Sequence, residues 1–271
     1  MTTVLYAVIV LGVLAVIFGA VLAFAAKKFH VDVDPRAEQI EEILPGANCG
    51  GCGFAGCKAY AAAVCGGART NACVPGGSDA AAKIAAIMGV EAEATERCVA
   101  LVKCSGTIGH TARKLVYSGI EDCTAAMRLG GGSGANSCPY GCLGYGSCVK
   151  ACPFGAIRIE NGIAHVDHEK CTGCMTCASV CPKGIIVKVP YEADVTVACS
   201  SRDPGKVLRQ YCDLGCLGCH ICEKTCQHDA IHVIDGRAVI DYTKCVSCGQ
   251  CYQKCPRHLI RDARLNTEND E

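Results

Sequence analysis

CTGCMTCASVCP at residues 171–182 and CVSCGQCYQKCP at residues 245–256 share one spacing: three cysteines separated by two residues each, a fourth three residues further on, and a proline directly after it. The two stretches lie 74 positions apart (245 against 171), and the offset extends well beyond them. Cys138, Cys142, Cys148, Cys152, Cys171, Cys174, Cys177 and Cys181 map onto Cys212, Cys216, Cys222, Cys226, Cys245, Cys248, Cys251 and Cys255. Eight cysteines in register define an internal repeat. The pieces between them match as well. Ala156 to Ile159, Asn161-Gly162 and Ile163 to Val166 are answered by Ala230 to Ile234, Asp235-Gly236 and Arg237 to Ile240. Asn-Gly and Asp-Gly between short apolar runs predict a β-hairpin in each copy.

The spacing C-x2-C-x2-C-x3-C-P is the bacterial ferredoxin signature, in which three close thiolates take three corners of a 4Fe-4S cubane and the fourth cysteine serves the neighbouring cluster. Three cysteines in one tight loop with a distant partner suit a tetrahedral metal-thiolate site better than pairwise bridges. Exchange of fourth ligands then predicts two clusters per copy. In the first copy Cys171, Cys174 and Cys177 take Cys152, while Cys138, Cys142 and Cys148 take Cys181. In the second, Cys245, Cys248 and Cys251 take Cys226, while Cys216, Cys219 and Cys222 take Cys255. Two departures matter. Tyr145 stands where Cys219 aligns, so Cys138 is drafted as the missing corner, and Cys212 becomes a spare in the second copy. Either Cys212 or Cys219 remains a candidate for that corner.

Upstream, Cys49-x2-Cys52-x4-Cys57-x15-Cys73 forms a different set within Asn48-Cys49-Gly50-Gly51-Cys52-Gly53, whose glycines allow close backbone approach to inorganic sulfide. A fifth cubane is the natural reading, with structural zinc as the alternative and Cys65 as a substitute for Cys73. About five 4Fe-4S clusters at four ligands each leave Cys65, Cys98, Cys104, Cys123, Cys199 and Cys212 of the 26 cysteines. A further site drawn from Cys104, Cys123 and Cys199 is conceivable, because Val102-Lys103-Cys104 and Val197-Ala198-Cys199 look like two strand ends that meet.

The rest of the 271 residues bounds the setting. Val4 to Ala26 is apolar and uncharged, followed directly by Lys27 and Lys28, which predicts a single transmembrane anchor with the bulk of the chain cytoplasmic, in the cell (inner) membrane. Lipid is then expected around residues 4–26. Lysine plus arginine equal aspartate plus glutamate at 26 each, so there is no basic stripe and no nucleic-acid partner is expected. No tryptophan and only 5 per cent aromatics argue against a large ordinary core, and metal binding can supply folding free energy that a thin core lacks. No metalloprotease, nucleophile-elbow or P-loop motif is present, so no catalytic side chain is assigned and the chain is read as an electron carrier without its own substrate site.

The fold class expected is α+β, with one N-terminal transmembrane helix, a small helical Fe-S module and two tandem two-cluster ferredoxin modules. The division runs 1–28 for the anchor, 29–90 for the four-cysteine module and 91–134 for a connecting segment ending in a glycine-rich linker at 130–134. It continues with 135–190 for the first ferredoxin module, 191–211 for a connector, 212–260 for the second module and 261–271 for a tail. Local signals predict helices over Arg36–Leu44, Ser78–Met88 and Thr111–Tyr117 and a strand over Val99–Lys103.

The order of anchor, Ala47-Asn48-Cys49-Gly50-Gly51-Cys52-Gly53, Pro75-Gly76-Gly77, and Tyr140-Gly141-Cys142-Leu143-Gly144 leading into tandem ferredoxin repeats closely resembles the B subunits of Rnf ion-translocating electron-transport complexes, over nearly the whole chain. The resemblance implies a protein that accepts electrons from soluble ferredoxin and passes them to membrane partners of a ferredoxin:NAD oxidoreductase. It also implies that flavin and nicotinamide sites belong to other subunits. A polyferredoxin of another membrane hydrogenase or dehydrogenase, or a donor to a redox regulator, are the competing readings.

Overall fold

The computed structural model describes residues 2–28, 34–94 and 96–262. The expected frayed end Glu268–Glu271 and the start of the polar stretch at Asp32 lie outside the described residues. Helix α1 (Thr2–Lys28) is one apolar helix with Lys27 and Lys28 in its last turn. A three-helix unit follows, made of α2 (Pro35–Ile43), α3 (Cys57–Cys65) and α4 (Gly77–Met88). Asp34 caps α2 by accepting the Arg36 N–H at 2.9 Å, Pro35 suits the first helical position, and Leu44 turns extended because Pro45 follows it. Ile40, Tyr60, Val64 and Ile84 are fully buried between the three helices. Helix α4 starts one residue ahead of the expected Ser78, and no side chain caps it.

Beyond this unit the backbone forms four two-stranded antiparallel sheets, and the 74-residue repeat governs their arrangement. Strands β1 (Cys98–Val102), β2 (Ile157–Glu160), β3 (Ile163–Val166) and β4 (Ile186–Pro190) belong to the first half, and β5 (Val195–Val197), β6 (Ile231–Ile234), β7 (Arg237–Ile240) and β8 (Ile260–Asp262) to the second. The predicted hairpins are β2–β3 and β6–β7. Asn161 and Gly162 at φ 46° and 80°, and Asp235 and Gly236 at φ 49° and 76°, give the doubly left-handed turn that suits strand twist. The other two sheets pair a repeat strand with a segment from outside the repeat. Val102 of β1 faces Ile186, and Val197 of β5 faces Ile260, so β1 and β5 occupy equivalent places. Each ends two residues before a cysteine, Cys104 and Cys199 respectively.

Three sequence-based expectations differ from this structure. Residues 111–117 are not helical: the Ala112 N–H goes to the Tyr211 carbonyl at 2.8 Å and the Lys114 N–H to the Ala135 carbonyl at 2.9 Å, so distant partners take the hydrogen bonds a helix needs. The glycine run at 130–134 is no loose linker. It closes a short 3-10 turn with Ser133 and Ala135 buried, and a Cβ on Gly134 would lie 2.6 Å from Leu143 Cδ2. These glycines serve close packing as well as turning.

The third correction concerns the anchor. Among the described residues no helix is long and apolar enough to cross a membrane. The transmembrane helix in the expected fold class is therefore not upheld, and the single-pass placement in the cell membrane falls with it.

Candidate functional site

Small helices carry the cysteine loops: α5 (Cys123–Met127), α6 (Ser147–Ala151), α7 (Thr176–Ser179), α8 (Gly205–Leu208), α9 (Ile221–Thr225) and α10 (Gln250–Lys254). The two copies share unusual backbone conformations ahead of these helices. Met175 and Gly249 have φ 61° and 75°, and Gly146 and His220 have φ 72° and 59°. Left-handed residues at equivalent positions curl each loop inwards between consecutive cysteines.

Four enclosed spaces of similar size lie among these loops, each bordered by cysteines. Cys226, Cys245, Cys248 and Cys251 line one of about 360 Å³. Cys216, Cys219, Cys222 and Cys255 line another of about 370 Å³, which places Cys219 and not Cys212 at that corner. In both, the fourth cysteine comes from the other loop of the copy, as the exchange of ligands requires. The first copy repeats the scheme: Cys177 is grouped with Cys171, Cys174 and Cys152. Its second space, of about 350 Å³, is lined by Cys142, Cys148 and Cys181, and there the structure differs from expectation. Cys123 completes it, and Cys138 does not border it. Cys138 instead lines a space of about 390 Å³ with Cys104, Cys199 and Cys212, near Cys142.

Cys123 is brought to its place by a local clamp. Asp122 caps α5 by accepting the Ala125 N–H at 2.9 Å, and its other oxygen accepts the Ser147 hydroxyl at 2.8 Å. Ser147 Oγ in turn accepts the Cys123 N–H at 2.7 Å. These bonds hold the Asp122 carboxyl below the usual carboxylate range. Because Ser147 precedes Cys148, the clamp fixes Cys123 beside the loop it serves. The available signal was Tyr145: a cysteine loop lacking one corner requires a cysteine from outside the repeat.

The four-cysteine set upstream is assembled by Asn48, whose side-chain oxygen accepts the Cys57 N–H at 2.8 Å. Tyr60 donates its hydroxyl proton to the Arg69 carbonyl at 2.9 Å and accepts the Ala72 N–H at 3.2 Å, holding the loop that presents Cys73. Burial pushes the Cys73 thiol up, and Cys52, Cys57 and Cys49 add to the shift, so the four lie within electrostatic reach of one another. Cys65 is the last residue of α3 and is not among the groups that raise the Cys73 thiol. The set abuts the first copy directly. A Cβ on Gly51 would lie 2.8 Å from the Cys174 carbonyl, and Thr176 Oγ1 donates to the Cys49 carbonyl at 3.3 Å.

Backbone amides point at the sulfurs. Ala156 N–H and Ala230 N–H donate at 3.4 Å to Cys152 and Cys226, which are equivalent in the repeat, and Ala100 N–H and Ala238 N–H donate at 3.4 Å to Cys171 and Cys216. Such bonds favour thiolate sulfur. Burial has the opposite effect: it pushes the Cys142, Cys148, Cys177 and Cys251 thiols up to about 11 and Cys222 up to about 12. Four buried thiols facing one space become thiolates only against a cationic centre. Among the described residues no three His, Cys, Asp or Glu side chains could hold a metal ion between them. Three cysteines on one tight loop joined by a fourth from the opposite loop are the donor set of a 4Fe-4S cube.

The family models that match this chain agree with these groups. A 4Fe-4S dicluster domain matches residues 141–185, a second 4Fe-4S dicluster domain matches 215–260, and a putative Fe-S cluster family matches 44–75. The chain is 47% identical over 253 residues to the B subunit of the Na(+)-translocating ferredoxin:NAD(+) oxidoreductase complex of Acetobacterium woodii, covering 93% of this chain and 75% of that protein. It is 44% identical over 266 residues to the B subunit of the proton-translocating ferredoxin:NAD(+) oxidoreductase complex of Clostridium ljungdahlii, covering 96% and 93%. It is 40% identical over 253 residues to the B subunit of the ion-translocating oxidoreductase complex of Methanosarcina acetivorans, covering 93% and 95%.

Proposed function

This chain belongs to the B-subunit family of ion-translocating ferredoxin:NAD oxidoreductase complexes, and from that membership we propose how its cysteines divide among clusters and which partners it meets. It is an electron-transfer component of an Rnf-type complex, which sets aside a hydrogenase polyferredoxin or a donor to a redox regulator. When bound, 4Fe-4S clusters supply one-electron carriers whose potentials are set by charge, hydrogen bonds and exposure.

The chain's own residues hold and orient these groups. Cys49, Cys52, Cys57 and Cys73 hold one cluster. Cys152, Cys171, Cys174 and Cys177 hold the second, and Cys123, Cys142, Cys148 and Cys181 the third. Cys216, Cys219, Cys222 and Cys255 hold the fourth, and Cys226, Cys245, Cys248 and Cys251 the fifth. The observation that carries this reading is the grouping of cysteines in fours, with Cys152, Cys181, Cys226 and Cys255 each joining the loop opposite its own. Reduced ferredoxin is the donor, and the other members of the complex are the acceptors. Cys219 and Cys248 are the cysteines exposed to solvent, so the second copy brings cluster ligands to the surface where a soluble partner can approach. With 26 basic and 26 acidic residues, docking of an acidic ferredoxin depends on a local basic patch and not on net charge.

The test is anaerobic titration of the full chain with reduced ferredoxin, followed by visible absorption and EPR. Uptake of several electrons per chain with the appearance of reduced-cluster spectra is expected. A chain that dithionite reduces and ferredoxin leaves oxidised would refute ferredoxin as donor.

A further inference from the structure

The space lined by Cys104, Cys138, Cys199 and Cys212 lies between the two ferredoxin copies, and none of the four falls within the matched stretches 44–75, 141–185 and 215–260. We propose that these four cysteines hold a sixth 4Fe-4S cluster, at the junction of the two copies.

The four form two symmetry-related pairs. Cys138 and Cys212 are equivalent in the 74-residue repeat (212 against 138). Cys104 and Cys199 are equivalent through the sheets, since each lies two residues past the strand end, Val102 or Val197, that faces Ile186 or its repeat partner Ile260. Their surroundings obey the same symmetry. Cys104 Sγ accepts the Gly106 N–H at 3.4 Å and the Cys142 N–H at 3.3 Å. Cys199 Sγ accepts the Ser201 N–H at 3.4 Å and the Cys216 N–H at 3.4 Å. Ser105 Oγ donates to the Ala198 carbonyl at 3.2 Å, and Ser200 Oγ donates back to the Lys103 carbonyl at 2.6 Å. Two strand ends are thus tied together with a sulfur on each side of the seam. Thr111 Oγ1 reaches Cys212 Sγ at 3.7 Å. A purely structural set of buried thiols has no need of amide pairs aimed at sulfur, whereas bridged thiolates in Fe-S proteins accept such bonds.

Likeness to the other cysteine-lined spaces, two of which carry the full ferredoxin ligand pattern, favours a cluster over a single ion. The space is about 390 Å³, beside 350, 360 and 370 Å³ for the three spaces whose cysteines lie largely in the family-matched loops. Zinc draws four sulfurs to about 2.3 Å from one point. Assembly releases the protons of the buried thiols and leaves four thiolates on iron. The location adds a role. Cys142 of the third cluster and Cys216 of the fourth each give a backbone N–H to a sulfur of this set, so it fills the gap between the two copies.

The inference rests on the cluster reading of the family-matched loops, and iron counting tests the two separately. The full chain is reconstituted anaerobically with ferrous iron and sulfide, and iron, labile sulfide and zinc are measured per chain. About 24 irons are expected, against about 20 for five cubanes. About 20 irons would overturn the sixth site alone, zinc in addition to about 20 irons would make it a zinc site, and no iron would overturn the cluster reading altogether. Cys199→Ser is expected to remove about four irons and one reduced-cluster spin from the integrated EPR signal, with Cys98→Ser unchanged. Should Cys199→Ser fail to fold, the wild-type iron count and its Mössbauer spectrum still decide.

Discussion

The two ferredoxin copies have the same eight cysteines in register yet complete one cluster site differently. In the second copy Cys219 fills its own loop and is exposed. In the first, Tyr145 occupies that position and packs against Tyr117 with ring centroids 4.8 Å apart, while Cys123 arrives from the connecting segment and is buried. The first copy has a buried cysteine from an added segment where the second has an exposed one of its own. That segment also provides β1, and the helical unit covers the Cys174 side. One copy is thereby an interior and the other an exterior, built on one backbone plan.

The comparison breaks most sharply at those corners. Cys123→Ala and Cys219→Ala should each remove about four irons per chain. Their stabilities should part, with a loss of about 2–3 kcal/mol for the buried Cys123 and under about 1 kcal/mol for the exposed Cys219, measured by anaerobic urea unfolding. Equal losses would mean that the added segment does not wrap the first copy. Next in size is a pair of glycines. A Cβ on Gly144 (φ 77°) would overlap the Gly162 carbonyl, while on Gly218 (φ 63°) it would sit 3.0 Å from the Gly236 carbonyl. Gly144→Ala should therefore lose about 2–3 kcal/mol and Gly218→Ala about 1 kcal/mol in thermal unfolding, and the reverse order would contradict the tighter packing of the first copy.

Ser147→Ala removes both bonds of the clamp and should cost about 1–2 kcal/mol, whereas Ile221→Ala at the equivalent position of the second copy should stay below about 1 kcal/mol. The clamp carries a pH signature. The Asp122 carboxyl is held low by the Ala125 N–H and the Ser147 hydroxyl. A depressed carboxyl contributes stability that is present above its unfolded value of about 4 and lost as pH falls through the folded one. In Ser147→Ala the acid-dependent loss should be smaller and complete at higher pH, and an unchanged acid limb would remove the clamp from the account. Smallest of all, Cys65→Ser and Cys98→Ser should leave iron unchanged and stability within about 0.5 kcal/mol, because neither sulfur borders any of the four cysteine-lined spaces described.

Much of this was legible in residue order. The close grouping of Cys171 to Cys177 and of Cys245 to Cys251 was readable because a tight loop determines its own geometry. Hairpins with Asn-Gly and Asp-Gly turns were readable for the same reason. Cys123 was not, since its place depends on a three-dimensional contact between Asp122 and Ser147 that no spacing encodes. The meeting of Cys104 and Cys199 was glimpsed in their matching strand ends, but Cys138 was assigned to its nearest loop because sequence distance hides the symmetry that pairs it with Cys212. Thr111 to Tyr117 was misread as helix because its bonds go to Tyr211 and Ala135, partners far along the chain. The apolar segment is one helix, but the expected membrane span is not upheld: among the described residues no helix is long and apolar enough to cross a membrane.

The exchange between Ser105 and Ser200 has a mechanical consequence. Each hydroxyl is fastened to a carbonyl on the opposite strand end, so a hinge at this seam would break both fastenings together. Relative motion of the two strand ends at this seam therefore costs two hydrogen bonds at once.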